Sequence, residues 1–329
     1  MGWKGTLRSI DSSLRRMERE ARRQERERNR LAREQAKFEE LEDAAYQVEE
    51  YEEYIETLLS VHKANTSLIE WQALADQGDP KSPTKISENE IHARNALENY
   101  RPGFFGKIFG NPEKKRAKLV KAIEDAQAKD AEAYRSALAS HEERLAEISR
   151  QRDLAKRVLA GNPEALMEAL NELNRFDEIG ALGTHLEFRL SESGALGITL
   201  KIHSKEVIPK EQKKLLKSGK ISVKQISKSN FNALHQDYVC GALLRVANET
   251  LGILPLESVI VTVRDDLLNP QTGHIEEVPI LSAFVPRDTM ARLNLEMIDP
   301  SDSMDNFKHN MKFKRTSGFE PVEDIYEQL

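Results

Sequence analysis

The sequence predicts an α+β protein: long N-terminal helices forming a coiled-coil hairpin or arm, followed by a mixed β-sheet domain with a central buried helix. Three observations carry this expectation. An apolar seam repeats at steps of three and four through the first 60 residues. Charged residues make up 32% of the chain against 39% apolar, a balance that suits exposed helix beside a globule. Beyond Gly183 the apolar period changes from helical to alternating. The expected organisation is a charged helical arm over residues 1–76; a linker, a short helix and a Phe/Gly-rich tip over 77–112; a second long helix and a short helix over 113–174; and an α+β domain over 175–329.

The arm follows from Leu7, Ile10, Leu14, Met17 and Ala21, which alternate steps of three and four as an a/d seam. The seam thins through an Arg/Glu-rich stretch and returns at Leu31 and Phe38. After an extra step of three it continues at Leu41, Ala45, Val48, Ile55 and Leu59. No Pro or Gly interrupts residues 6–75, so one bent helix of up to about 70 residues is expected. Its charge is divided into blocks. Residues 1–37 hold 12 Lys/Arg against six Asp/Glu, and residues 38–57 hold nine acidic residues and no basic one. Such blocks imply a contact surface or charge-matched pairing.

Gly78, Pro80, Ser82 and Pro83 mark a linker, and Ser87-Glu88-Asn89-Glu90 reads as a capping box opening a short helix to Tyr100. Pro112 opens the second long helix, Gly161 closes it, and Asn162-Pro163-Glu164 starts another. The two long helices fold back as an antiparallel hairpin or, alternatively, pair with a second copy. Residues 184–191 and 196–203 alternate as a strand hairpin, 220–226 is a third strand, and 230–252 is a helix too apolar to be exposed. Residues 258–264 and 278–285 form a second hairpin around Asn269-Pro270-Gln271-Thr272-Gly273. Short helices at 288–295 and 300–309 precede an extended polar end.

Chemistry is sparsely signalled. There is no Gly-rich phosphate loop, no Gly-x-Ser-x-Gly, no His-Glu-x-x-His and no Cys-x-x-Cys. The single cysteine, Cys240, sits in an apolar run and reads as a core residue. Asp265, Asp266, His274, Glu276 and Glu277 flank the second hairpin tip and would bind a divalent ion if the strands brought them together. No catalytic, cofactor or metal residue is assigned, and no cofactor is expected. The second predicted strand reads Leu196-Gly197-Ile198-Thr199-Leu200-Lys201-Ile202 and the third Lys220-Ile221-Ser222-Val223-Lys224-Gln225-Ile226. Their order, helix, three strands, helix, strand, resembles the core of the restriction-endonuclease-like nucleases. That resemblance implies an acidic residue at the second strand and a Glu-x-Lys or Gln-x-Lys on the third to hold Mg²⁺. Neither strand here supplies the carboxylate.

The expected function is therefore a non-enzymatic interaction or scaffold protein that oligomerises or docks to a larger assembly. Phe104, Phe105, Ile108 and Phe109, set among glycines, are candidate partner-binding residues. An alternative is a nucleic-acid-binding accessory factor in genome maintenance or defence against foreign DNA. It would use Arg15, Arg16, Arg22 and Arg23 of the arm and the cluster Lys114, Lys115, Arg116 and Lys118. A further alternative is a metal-dependent hydrolase of nuclease type. No stretch has signal-peptide or membrane-span character, which places the protein in the cytoplasm by expectation.

Overall fold

The computed structural model describes residues 3–63, 66, 68–102, 111–173, 185–191 and 194–328, with side chains from Arg22 onward except that of residue 205. The chain forms two compact units. One comprises residues 1–67, 174–252 and 256–329, the other residues 68–173 and 253–255. Among the described residues no helix is long and apolar enough to cross a membrane.

Helix α1 runs Trp3–Leu59, 57 residues and about 85 Å at 1.5 Å per residue. It stops short of the sequence expectation of residue 75. A 3-10 turn follows at Val61–Lys63, with Leu58 and His62 buried on either side of the break. Asn248 Nδ2 donates to Thr66 Oγ1 at 2.9 Å. Burial of these side chains, which no Gly or Pro announces, turns the chain out of the helix.

The second unit is helical: α2 (Trp71–Ala75), α3 (Glu88–Glu98), α4 (Pro112–Leu159) and α5 (Pro163–Leu173). Helices α2, α3 and α5 each pack on α4. Trp71, Leu154, Ala155, Val158, Leu166 and Leu170 are buried. Asn111 accepts the Lys114 amide at 3.0 Å, Gly161 takes φ +70° at the end of α4, and Asn162 accepts the Ala165 amide at 2.9 Å. Gly161 and Asn162 act as the sequence indicates, and the Asn111 cap adds to the Pro112 start it signals. The expected capping box at Ser87 is not formed. Asp130 of α4 caps α3 from outside, accepting the Glu90 amide at 2.9 Å and Asn89 Nδ2 at 2.6 Å. Those donors, the Glu90 amide foremost, hold its carboxyl below the ordinary value. Glu90 is turned toward Gln127 and Arg94 instead. Asp130→Ala is therefore expected to fray the first turn of α3, seen as faster hydrogen exchange at the Glu90 amide, while Ser87→Ala leaves that rate unchanged.

In the first unit β1 (His185–Leu190) and β2 (Leu196–Lys201) lead through the one-turn α6 (Ser204–Val207) to β3 (Glu211–Leu215) and β4 (Ile221–Gln225). Helix α7 (Lys228–Ile253) is the buried helix the sequence announces, with Tyr238, Leu243, Leu244 and Val246 fully enclosed. Then come β5 (Ser258–Leu268), β6 (Ile275–Pro286), α8 (Arg287–Ala291), α9 (Pro300–Ser303), β7 (Lys308–Lys314) and β8 (Gly318–Glu320). The main sheet has the order β1-β2-β5-β6-β7-β8, and β2 with β5 is its parallel pair.

Three sequence expectations are corrected here. The predicted third strand, β4, pairs antiparallel with β3 in a separate two-stranded sheet, and the main-sheet strand added beside β2 is β5. The strand order of a nuclease core is therefore not formed. The C-terminal region is not simply extended, since β7 pairs with β6 and β8 with β7. The helix expected over 300–309 is cut to α9 and a 3-10 turn because β7 begins at Lys308.

Candidate functional site

The arm is seated by its C-terminal third. Ala44, Val48 and Leu58 are buried, and α1 packs on β3 and β4. Tyr54 Oη donates to the Val207 carbonyl at 2.6 Å. Gly219, at φ +77° in the β3–β4 turn, leaves room for Leu41, whose Cδ2 would stand 2.8 Å from a Cβ there. The positive φ favours glycine there, and any larger residue would also have to displace the Leu41 side chain.

Open grooves flank the seat. One, of about 780 Å³, lies among Tyr51, Tyr54, Ile208, Pro209 and Lys213; the other, of about 400 Å³, lies among Tyr51, Ile55, Gln212, Ile226 and Leu234. The charge pattern explains the position of the seat. Residues 210–228 hold seven lysines against Glu211 as their one carboxylate, and they adjoin the acidic block of α1, with Lys220 Nζ 3.9 Å from Glu40. The acidic block thus lies beside a lysine-rich ribbon of the same chain.

Nearer the N-terminus the described side chains of α1 stand in solvent. Leu31 and Phe38, one heptad apart, are 59% and 61% exposed. They continue the spacing read from Leu7, Ile10, Leu14 and Met17. Glu25 and Glu39 lie on one flank of that seam, Glu27 and Glu34 on the other, by the 3.6-residue repeat.

No family model, no curated protein and no solved structure matches this chain.

The candidate metal ligands do not come together. Asp265 turns inward, where Ser204 Oγ donates to it and His235 Nε2 approaches to 3.1 Å. Burial raises the Asp265 carboxyl, but His235, Ser204 and the Asp266 amide outweigh it and leave the group below its ordinary value. Glu277 pairs with Lys201 and Arg264, while Glu276 accepts from Asn269 and Thr272. His274 is exposed. Among the described residues no three His, Cys, Asp or Glu side chains group to hold a metal ion. Cys240 is fully enclosed, and burial pushes its thiol far above the ordinary range, so no thiolate is poised there.

Phe104, Phe105, Ile108 and Phe109 lie outside the described residues, as do the side chains of Arg15 and Arg16. Arg22, Arg23, Lys114, Lys115, Arg116 and Lys118 are all exposed. The arm and the Lys114 cluster belong to different units.

Sequence reasoning missed a polar row on the main sheet. Thr199, Thr262, Ser282 and Asn310 are cross-strand neighbours on β2, β5, β6 and β7. Asp324 covers the row: its Oδ1 accepts from Thr262 at 2.7 Å, Ser282 at 3.3 Å and the Tyr326 amide at 2.9 Å. Arg189 stands 3.5 Å from Oδ2 and lies over the Tyr326 ring. Asn310 Nδ2 donates to the Glu323 carbonyl at 2.9 Å. Gly197, beside this row, admits that ring, which a Cβ would meet at 2.5 Å. One signal was legible: hydroxyl residues at Thr199, Thr262 and Ser282 interrupt otherwise apolar strands.

Proposed function

We propose that this chain is a non-enzymatic interaction protein, in which an α+β body holds a helical arm that docks onto a partner helix in a larger assembly. The observation that supports it most directly is the exposure of Leu31 and Phe38 on one face of an uninterrupted helix. Apolar side chains spaced by a heptad gain by burial against a second helix, at about 25 cal/mol per Å² of apolar surface removed from water. The carboxylates beside the seam select the partner. Pairing with an identical copy would set Glu against Glu, whereas a helix with Lys or Arg beside its own seam would match.

A synthetic helix with Leu and Ile at its a and d positions and Lys at e and g is the appropriate probe. It is expected to bind the full chain in fluorescence anisotropy and to lose at least tenfold in affinity against Leu31→Asp/Phe38→Asp. Equal binding to that variant would remove the seam from the proposal. Light scattering supplies the other arm of the test. A salt-resistant oligomer that disappears in the same variant would make a second copy the occupant and overturn the heterotypic reading.

A further inference from the structure

The arm presents a second surface, distinct from the seam. At 100° per residue, Arg22, Arg23, Arg26, Arg30, Arg33 and Lys37 fall within an arc of about 100° around α1. All six are exposed, and no carboxylate of residues 22–37 lies inside the arc. Glu25 and Glu34 flank it on opposite sides. Among the six, only Arg30 has an ion-pair partner, Glu34 at 2.9 Å, and both groups of that pair are largely exposed. Such a pair is worth little and yields readily to a better anion. An open recess of about 390 Å³ lies among Arg26, Asn29, Arg30, Arg33, Glu34 and Lys37. The seam residues Leu31 and Phe38 project roughly 120° away, so both surfaces can be used at once.

A second observation makes the stripe more than a solvated helix face. The sequence divides α1 into a basic and an acidic block of comparable size, and mutual compensation would be the economical explanation. The fold assigns the compensation elsewhere. The acidic block lies against the lysine-rich β3–β4 hairpin, with Lys220 facing Glu40 and Leu41 seated on Gly219. Among the described residues nothing comparable faces the basic block. Its charge is left for a partner outside the chain.

We infer that this stripe is a nucleic-acid backbone site, seating successive phosphates along about 23 Å of helix. Five of the six cations are arginine, whose planar fork matches phosphate oxygens two at a time. From Arg23 onward, steps of three and four residues place a charge every 5 Å or so along the axis, all within the same arc. A membrane-surface helix would need a broad apolar face beside its cations, and this stretch offers little beyond Leu31 and Phe38. Contacts of these cations with phosphate oxygens carry no base sequence in themselves.

The test is anisotropy of a labelled mixed-sequence 20-base-pair duplex with the full chain at 50, 100 and 200 mM salt. Each neutralised phosphate contributes about −0.9 to the slope of log affinity against log salt. Arg26→Gln/Arg30→Gln/Arg33→Gln/Lys37→Gln is expected to weaken binding at least tenfold at 100 mM salt and to flatten the slope by about 3 to 4. Gln is a good helix former and all four sites are exposed, so circular dichroism and the thermal midpoint stay as in the parent. Leu31→Ser/Phe38→Ser, which removes the apolar groups of the seam without adding charge, is expected to keep the duplex affinity, which separates this site from the seam. The inference is overturned if the four-Gln variant binds with unchanged affinity and slope. It is equally overturned if reversing Lys114, Lys115, Arg116 and Lys118 to Glu abolishes binding while the four-Gln variant retains it. Binding to phosphatidylserine vesicles without binding to duplex would assign the stripe to lipid and also overturn it.

Discussion

Asp265→Ala is expected to lower the thermal midpoint by on the order of 10 °C, because removing a buried carboxylate and leaving its buried polar partners unanswered costs about 3 kcal/mol or more. The carboxylate is 1% exposed and ties three elements together: Ser204 on α6, His235 on α7 and its own strand β5. Its loss leaves a buried hydroxyl without an acceptor and a buried imidazole without its counter-group. Phe319 and Phe231 close around the ring, so water does not readily replace the carboxylate. Asp265→Asn keeps the shape and one acceptor and should fall between. Asp266→Ala, one residue further and half-buried, serves as the control and should shift the midpoint little. Differential scanning calorimetry of the three variants decides the matter.

The same group sets a pH dependence. The Asp265 pKa is lower in the folded state than in the unfolded one. Its contribution is therefore fully present above the ordinary carboxylate range near 3.9 and is lost as pH falls through the folded value. His62 acts in the same direction at higher pH. Burial lowers its pKa, so the unfolded chain takes up that proton first and stability declines as pH falls through about 6.5. The midpoint should fall in two stages on acidification, and His62→Gln should remove the earlier one.

Asp324→Ala is expected to release the segment that follows β8 from the sheet. This carboxylate, 4% exposed, accepts from Thr262, Ser282 and the Tyr326 amide and pairs with Arg189. Without it the hydroxyl row is left with unmatched donors under a lid that has lost its anchor, at a cost of roughly 2–4 kcal/mol. Hydrogen exchange should accelerate at the Ile325 and Tyr326 amides first, and limited proteolysis should cut near residue 322 before it cuts the body. Protection equal to the parent at those two amides would show that Tyr326 in its Gly197 recess holds the segment unaided.

The sequence showed the elements better than their partners. Period and caps located α4, α5, α7, β5 and β6 because each is dictated by local chemistry: Pro112 at a first turn, Gly161 beyond a last one, unbroken apolar character from Tyr238 onward. What escaped depends on side chains distant in the chain. Nothing near Ser87 announces that Asp130, some 40 residues away, would supply the cap. Strand β3, Glu-Gln-Lys-Lys-Leu, carries no alternation because its two faces meet solvent and an acidic helix instead of a core. Strand β7 was obscured by Asp299 and Pro300, a strong helix start that runs only one turn before Phe307 turns in. On the candidate surfaces, the blocks of charge in the arm were plain, but their assignment required the hairpin that answers one block and leaves the other unmatched.

The seat of α1 also has a mechanical meaning. The helix is clamped between about Leu41 and Leu58 and continues as unbroken helix for nearly 40 residues beyond, roughly 57 Å along its path. It is a lever with its fulcrum at a two-stranded ribbon, the least reinforced part of the body. A rotation of only 5° at the ribbon would sweep the far end through about 5 Å, one full helical turn. Any load taken up by the distal arm is thus delivered, magnified as torque, to the glycine turn at Gly219.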